Sequence, residues 1–491
     1  MSGSGVLPVF HVAGFSGHRH VANPEGARRA IAAALESLGS ELAGEWIALS
    51  SVAEGSDQLF VQAALQRRLA WHAVLPLPQE EFARDFSPER WAEAEALLAR
   101  AEQVRVVAEN GSRDDAYLDS GMETVDGCDV LIAWWDGEPA RGKGGTAEVV
   151  DYARKLEKPI IVIDAATLAI TRENFHRLRR ADSALHHLNH LPDHSGYGEN
   201  PFKAPDAIFA FQQKCDFAAS RGAPQFRRLI VATVLLHVLA TLVAAGALSY
   251  DLHWLILPWL KLLCLAGALA VALVLRRHHS HHGWVQCRLA AEFCRSALAT
   301  WGLPRSAPLF EDLEVAAVRG LTRALHVLHL RSAAAAPIAM EEFRATYLEK
   351  RVDDQLAYYR RQEGRALPLF NGLKLGFWVA TIVALLSTLA YAACRTAALP
   401  VPHAIEENFF YFAPISLPVA AAALISLISI NDLQRRVARY REMQMMLTES
   451  RNRLLYCRTW NSLERVVLRT EHALLQEVLE WHSLTTFAES H

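Results

Sequence analysis

Residues 229–248 read LIVATVLLHVLATLVAAGAL. A helix needs about 20 apolar residues to cross roughly 30 Å of hydrocarbon, and this run has that length with no formal charge. Three more runs repeat the pattern: WLILPWLKLLCLAGALAVALVL (254–275), LGFWVATIVALLSTLAYAA (375–393) and FFYFAPISLPVAAAALISLISI (409–430). Four such runs, flanked by basic or aromatic residues, predict four transmembrane helices in two hairpins. The 52% hydrophobic content agrees, being slightly above the soluble average.

Flanking charges set an orientation. Arg227 and Arg228 precede the first run, and Arg276 and Arg277 follow the second. Lys374 precedes the third, and Arg435, Arg436, Arg439 and Arg441 follow the fourth. The connections SYDLH (249–253) and RTAALPVPHAIEEN (395–408) share a single Arg. The positive-inside rule then places both termini and the central segment in the cytoplasm. Very little chain is left outside, so any sensing is expected to be intracellular. Two polar residues interrupt the runs, His237 and Lys261. Lys261 either snorkels to the interface or, with His237, faces a pore or helix interface. His278, His279, His281 and His282 resemble a metal tract but have no ligand-spaced partner, so they are read as an interfacial cluster and no metal is expected.

The whole chain has 491 residues, 50 basic and 53 acidic, for a net charge of −3. A protein that coats nucleic acid would be strongly basic, so direct nucleic-acid binding is not expected. The cysteines number seven, with no CxxC, which fits reduced thiols in a reducing compartment. The segment MSGSGVLPVFHVAG has no basic region ahead of a long apolar run, so no cleaved signal is expected.

The first third alternates two patterns. Strand-like stretches are 6–14, 46–52, 71–77, 104–108, 129–135 and 159–164, and helix-like ones include EGARRAIAAALESL, SDQLFVQAALQRRL, ERWAEAEALLARA and TAEVVDYARKL. Alternation of this kind predicts a mostly parallel sheet covered on both faces. Ligands of such sheets bind at the carboxyl ends of the strands. Three segments are expected there. The first is Gly14-Phe15-Ser16-Gly17-His18-Arg19, with glycines for close backbone approach to an anion and Arg19 as charged donor. The second is Ser50-Ser51-Val52-Ala53-Glu54-Gly55-Ser56-Asp57, which opens a helix. The third is Trp134-Trp135-Asp136-Gly137 followed by Gly142-Lys143-Gly144-Gly145-Thr146-Ala147-Glu148, a Gly-rich turn running into a helix. The candidate ligand-binding residues are therefore Gly14, Ser16, Gly17, His18, Arg19, Ser51, Glu54, Gly55, Asp57, Asp136, Gly144, Gly145, Thr146 and Glu148. The pattern is neither Walker A nor GxGxxG.

These segments resemble the SLOG superfamily, Rossmann-like domains that include the DprA and LOG groups. The likeness lies in GHR, SSVAEGSDQL and GGTAE and covers roughly residues 6–170. The resemblance implies a nucleotide or nucleotide-derived ligand. The enzymatic LOG branch carries PGGxGTxxE. Here the Pro is absent and Glu148 stands two residues beyond Thr146, with Val at 149. That shift of one residue turns a helical side chain by about 100°, so ligand sensing is expected rather than phosphoribohydrolase activity. An enzyme would draw its general acid or base from Glu148 or Glu54.

The rest, roughly 208–491, resembles SLATT modules, membrane effectors found with SLOG domains in bacterial conflict systems. The likeness lies in FQQKCDFAASRGAPQFRR, in WVQCRLAAEFCRSALATW with Arg288, Glu292 and Arg295, in YLEKRVDDQLAYYRRQ, and in EHALLQEVLEW with Glu471, Glu477 and Trp481. Arg288, Glu292 and Arg295 share one helix face. Residues 432–482 form a further helical pattern, which packs within the chain or forms a seam between protomers.

The expectation is an α/β Rossmann-like parallel-sheet domain followed by an all-α region with four transmembrane helices and cytosolic helices. Its parts are a nucleotide-binding domain (1–195), a linker and pre-membrane helix (196–228), hairpin one (229–275), a cytosolic helical segment (276–366), hairpin two (367–430) and a C-terminal helix (431–491). The expected function is a homo-oligomeric, multi-pass effector of the bacterial inner membrane. It senses a nucleotide-type ligand without a cofactor and permeabilises the membrane in antiviral defence. The alternatives are a membrane-anchored nucleotide-processing enzyme and, ranked last, a transporter.

Overall fold

Apolar β-rich runs separated by amphipathic helices leave the first third one economical solution, a central sheet with helices on both faces. The computed structural model describes residues 5–107, 112–139, 144–178, 183–192, 198–277, 280–304, 318–332, 338–397 and 399–487. It divides into two compact units. One comprises Met1–Asp193, Asp206–Phe211 and Phe310–Ala336, and the other His194–Pro205, Gln212–Leu309 and Pro337–His491.

In the first unit the elements run β1 (Phe10–Gly17), α1 (Pro24–Glu41), β2 (Glu45–Ser50), α2 (Ser56–Gln66), β3 (Ala70–Leu75), α3 (Pro88–Leu98), β4 (Gln103–Val106), α4 (Arg113–Gly127), β5 (Val130–Trp135), α5 (Thr146–Lys155), β6 (Ile160–Asp164) and β7 (Ile170–Glu173). The sheet order is β4-β3-β2-β1-β5-β6-β7. All pairs are parallel except β6–β7. The chain winds outward from β1 to β4, then returns to β5 on the other side of β1. Right-handed crossovers in opposite directions place α1 and α2 on one face and α4 and α5 on the other. Each pair packs together. The switch point lies between β1 and β5. The short antiparallel β7 was not foreseen, since its residues, Ile-Thr-Arg-Glu, are mostly exposed.

One local reading is corrected and one helix is added. Gly14–Gly17 is strand, not loop: Gly14 pairs with Leu49 and Leu131, and Phe15 is buried against Phe60 with ring centroids 4.6 Å apart. The glycines serve packing there. A Cβ at Gly14 would meet Cys128 at 2.8 Å, and one at Gly17 would meet Ser56 Oγ at 2.3 Å. Helix α4, absent from the helix-like stretches read in the sequence, carries little apolar periodicity because the face it buries is small and half polar: Ala116, Ser120, Thr124 and Val125.

The helix Arg319–Ser332 also belongs to this unit. It lies at the amino ends of the strands, where Arg323 pairs with Asp129 and donates to Phe10 O at 3.3 Å. Arg331 pairs with Glu45 and, at 2.7 Å, with Glu102.

The second unit is helical, and among the described residues four of its helices are long and apolar enough to cross a membrane. Its apolar runs are mostly unburied: Leu255 is 88% exposed, Trp259 71% and Leu385 67%. Apolar surface of that extent needs lipid or another protein against it. The chain is a multi-pass membrane protein. The first span belongs to Asp206–Ser249, whose 44 residues reach about 66 Å, twice the hydrocarbon core. The expected continuous helix over 432–482 is two helices, Leu433–Tyr456 and Trp460–Phe487. Their apolar positions, including Tyr440, Leu447, Leu454, Leu463, Val467 and Leu474, sit in this unit's own core.

That core contains charge. Arg351, in the π-turn Leu348–Asp353, bonds Glu471 at 2.9 and 2.6 Å with both side chains almost fully buried. Tyr347 donates to the same carboxylate at 2.8 Å. Nearby, Arg295 pairs with Glu292 at 2.7 Å and Arg439 with Glu477 at 3.4 Å. Burial alone would push the Glu292 carboxyl up, but Arg295, Arg288 and Arg351 outweigh it and hold it below the usual range. All seven cysteines are free thiols.

Candidate functional site

A cavity of about 600 Å³ opens at the switch point of the sheet, within the roughly 300–1,000 Å³ span of small-molecule sites. Its floor is Ser16 and Gly17 at the end of β1. One wall is the β2–α2 connection with Ser51, Ala53 and Asp57, and the facing wall is α4 with Arg113, Tyr117 and Ser120. The fourth side is the start of α5, from Gly144 to Ala147. Gly144 has φ +78°, and a Cβ there would meet the Leu118 amide nitrogen and Tyr117 Cβ at 3.0 Å, so the turn lies tight against α4.

Of the residues singled out from sequence, Ser16, Gly17, His18, Arg19, Ser51, Asp57, Gly144, Gly145 and Thr146 line this cavity. Five do not. Gly14 is buried against Cys128. Gly55, at φ +100°, lets the α2 turn sit on the Arg19 carbonyl, where a Cβ would come within 2.0 Å. Glu54 faces Arg90 at 3.3 Å, both half exposed. Asp136 lies 3.1 Å from His18 Nε2. Glu148 turns back on its own turn and accepts from the Gly144 amide at 2.5 Å. Gly142 and Lys143 lie outside the described residues, as do His278 and His279. His237 and Lys261 stand on the outer surface of their helices, and His237 Nδ1 lies 2.8 Å from the Thr233 carbonyl oxygen.

Two buried oxygens facing the cavity have no partner among the described residues: Ser51 Oγ and Asp57 Oδ1. A buried acceptor without a donor costs roughly 1–3 kcal/mol, so the site stores an unmet demand for donors. Burial pushes the Asp57 carboxyl up to about 7, against the pull of Arg19 and the amides of Gly17 and Ala53. Arg19 stacks over the Tyr117 ring at 4.8 Å. Tyr117 donates to Asp85 at 2.5 Å, and Arg113 pairs with Asp85 at 2.6 Å. Burial works against the Asp85 charge, but Arg113 and Tyr117 prevail and lower its carboxyl. Arg113 is thus neutralised within the wall, whereas Arg19 acts on Asp57 and Asp85 through space without a close ion pair among the described residues.

The division of labour follows. Arg19 and the backbone amides at the start of α5 suit an anion such as phosphate. Asp57 and Ser51 suit hydroxyl or amine donors, and the Tyr117 ring offers a stacking face. Arg113, Tyr117 and Asp85 were not foreseen. For Arg113 and Tyr117 the signal was the Ser112-x-x-Asp115 cap, in which Asp115 N donates to Ser112 Oγ at 3.1 Å and starts α4; Asp85, in the turn Ala83–Asp85, had none.

Comparison with known proteins bears on the helical part. Residues 210–352 match the family model described as SMODS and SLOG-associating 2TM effector domain 3. The match takes in the first pair of apolar helices and the helix Arg319–Ser332 of the sheet unit, stops short of the apolar run 375–393 and leaves out strands β1 to β7, so it spans a little under a third of the chain. No curated protein matches the chain. The segment 210–352 is therefore similar to a two-helix membrane effector domain, carried here in a chain that has four candidate spans.

Proposed function

We propose that this protein is a membrane effector of a bacterial conflict system, switched by a nucleotide-type ligand in its sheet domain and acting by permeabilising the inner membrane. The carrying observation is the switch-point cavity, with its unmet acceptors beside Arg19, in the same chain as the effector-type helices. Ligand that binds one conformation more tightly shifts the equilibrium of everything coupled to it. The helix Arg319–Ser332 offers a route: it comes from the segment between the two pairs of apolar helices, yet docks on the sheet. In this reading both termini and that segment are cytoplasmic, and several copies assemble to open a path.

A second reading, a nucleotide-processing enzyme, has one observation in its favour, the carboxyl of Asp57 held near neutrality in the cavity. Neither Glu54 nor Glu148 supports it, since both point elsewhere. The deciding experiment titrates the full chain, reconstituted in liposomes, with a panel of nucleoside phosphates, following calorimetric heat, dye leakage and nucleotide cleavage together. Binding with leakage and no cleavage is expected. Cleavage lost in Asp57→Asn, without leakage, would overturn the effector reading.

A further inference from the structure

The helices Ser280–Thr300, Asp354–Thr396, Leu433–Tyr456 and Trp460–Phe487 enclose a second cavity, of about 230 Å³, within the helical unit. Three guanidinium groups line it, Arg288, Arg436 and Arg439, against one carboxylate among the described residues, Glu477. The adjoining lobe, of about 290 Å³, shares Arg288 and Glu477 with it and adds more acid than base: Asp216, Glu292 and Asp354 against Arg295 and Lys350. The cation excess therefore belongs to the first lobe. Arg439 spends its charge on Glu477 at 3.4 Å. Arg288 lies near Glu292 and Glu477 and hydrogen-bonds Tyr358. Arg436 donates to the Tyr440 hydroxyl at 3.2 and 3.1 Å and has no carboxylate partner among the described residues. Burial raises the Glu477 carboxyl despite Arg288 and Arg439.

The geometry points to a phosphate-class anion site in this cavity, with Arg436 and Arg439 as the fork and Arg288 behind them. Size limits the occupant. The cavity is smaller than the roughly 300–1,000 Å³ of drug-sized sites, so it suits a phosphate with a short polyol rather than a nucleotide. Arg436 and Arg439 follow Ile430, the last residue of the fourth apolar helix, on a new helix that begins at Leu433 after a break at Asn431 and Asp432. Chain connectivity puts the end of the second span, the start of the third and the end of the fourth on the same side of the membrane. A phospholipid headgroup and free inorganic phosphate share the chemistry required.

The test uses the full chain. In one arm it is placed in nanodiscs of phosphatidylcholine alone or with phosphatidylglycerol, and in the other it is kept in detergent with inorganic phosphate. Thermal unfolding and native mass spectrometry read occupancy. Arg436→Gln should weaken apparent affinity about tenfold or more. Arg435→Gln removes the same charge from the neighbouring position, which lies 3.9 Å from Asp432 and outside the cavity lining; it should change affinity less than twofold. Should Arg436→Gln fail to fold by circular dichroism, Arg436→Lys replaces it, with a loss of threefold or more expected from the missing planar fork. A response confined to phosphatidylglycerol assigns a headgroup, and a response to inorganic phosphate assigns a free anion. No response of the wild type in either arm overturns the site. So does equal loss in the Arg435 and Arg436 variants, which would mean diffuse surface charge.

Discussion

Asp57 supplies the sharpest test of the switch-point cavity. Its carboxyl is buried and rises from an ordinary 3.8 to about 7. A raised carboxyl favours the folded state when protonated. Its contribution is therefore complete below pH 4 and is lost as pH rises through about 7, the reverse of an ordinary salt-bridged aspartate. Each unit of separation corresponds to about 1.4 kcal/mol, so between pH 5 and 8 the loss should reach about 2–3 kcal/mol. For a unit of some 200 residues that is roughly a 5–10 °C fall in midpoint. Asp57→Asn keeps an acceptor for the Gly17 and Ala53 amides but cannot ionise. The assay is thermal unfolding of the full chain at four pH values, following the transition of the sheet domain by hydrogen exchange of β1 and α2. The wild-type midpoint should fall relative to that of Asp57→Asn as pH rises from 5 to 8. Parallel profiles over pH 5–8 would refute a buried, near-neutral Asp57. Saturation with a ligand that donates to Asp57 should flatten the wild-type profile, because the ligand restores what ionisation costs.

Other changes should be as readable. Arg19→Ala should weaken binding of a nucleoside phosphate by about 1.5–3 kcal/mol in calorimetry, the scale of a charged hydrogen bond, with the fold intact by circular dichroism. Gly55→Ala puts a methyl into the Arg19 carbonyl and should cost more than about 1 kcal/mol of stability in denaturant unfolding. Arg351→Met leaves Glu471 buried without its cation and should destabilise the helical unit by about 3–5 kcal/mol in thermal unfolding, while Arg351→Met with Glu471→Leu should recover most of that. Reporter fusions should place positions 250 and 400 outside the membrane and 491 inside, and a cytoplasmic signal at 250 would remove the first hairpin.

What sequence alone settles here is whatever repeats at short range. The four spans were legible because lipid demands an uninterrupted apolar length, and 229–248 meets that demand without reference to any neighbour. The parallel sheet was legible because strands buried on both faces read as apolar runs, as in DVLIAWW and PIIVID. Tertiary structure decided the rest, because it depends on residues far apart in the chain. The carboxylates at 54 and 148 sit in suggestive turns, yet only their neighbours, Arg90 and the Gly144 amide, turn them from the cavity. Asp57 looked like one more helix-opening acid, and only burial sets its proton near neutrality. The wall of Arg113, Tyr117 and Asp85 lies on a polar helix and a loop with no periodicity to announce it. Helix Arg319–Ser332 sits between membrane hairpins in sequence but docks on the sheet, since Glu45, Glu102 and Asp129 offer its arginines carboxylates at the strand ends. Local pattern fixes what each segment is, whereas the charges it meets after folding fix what it faces.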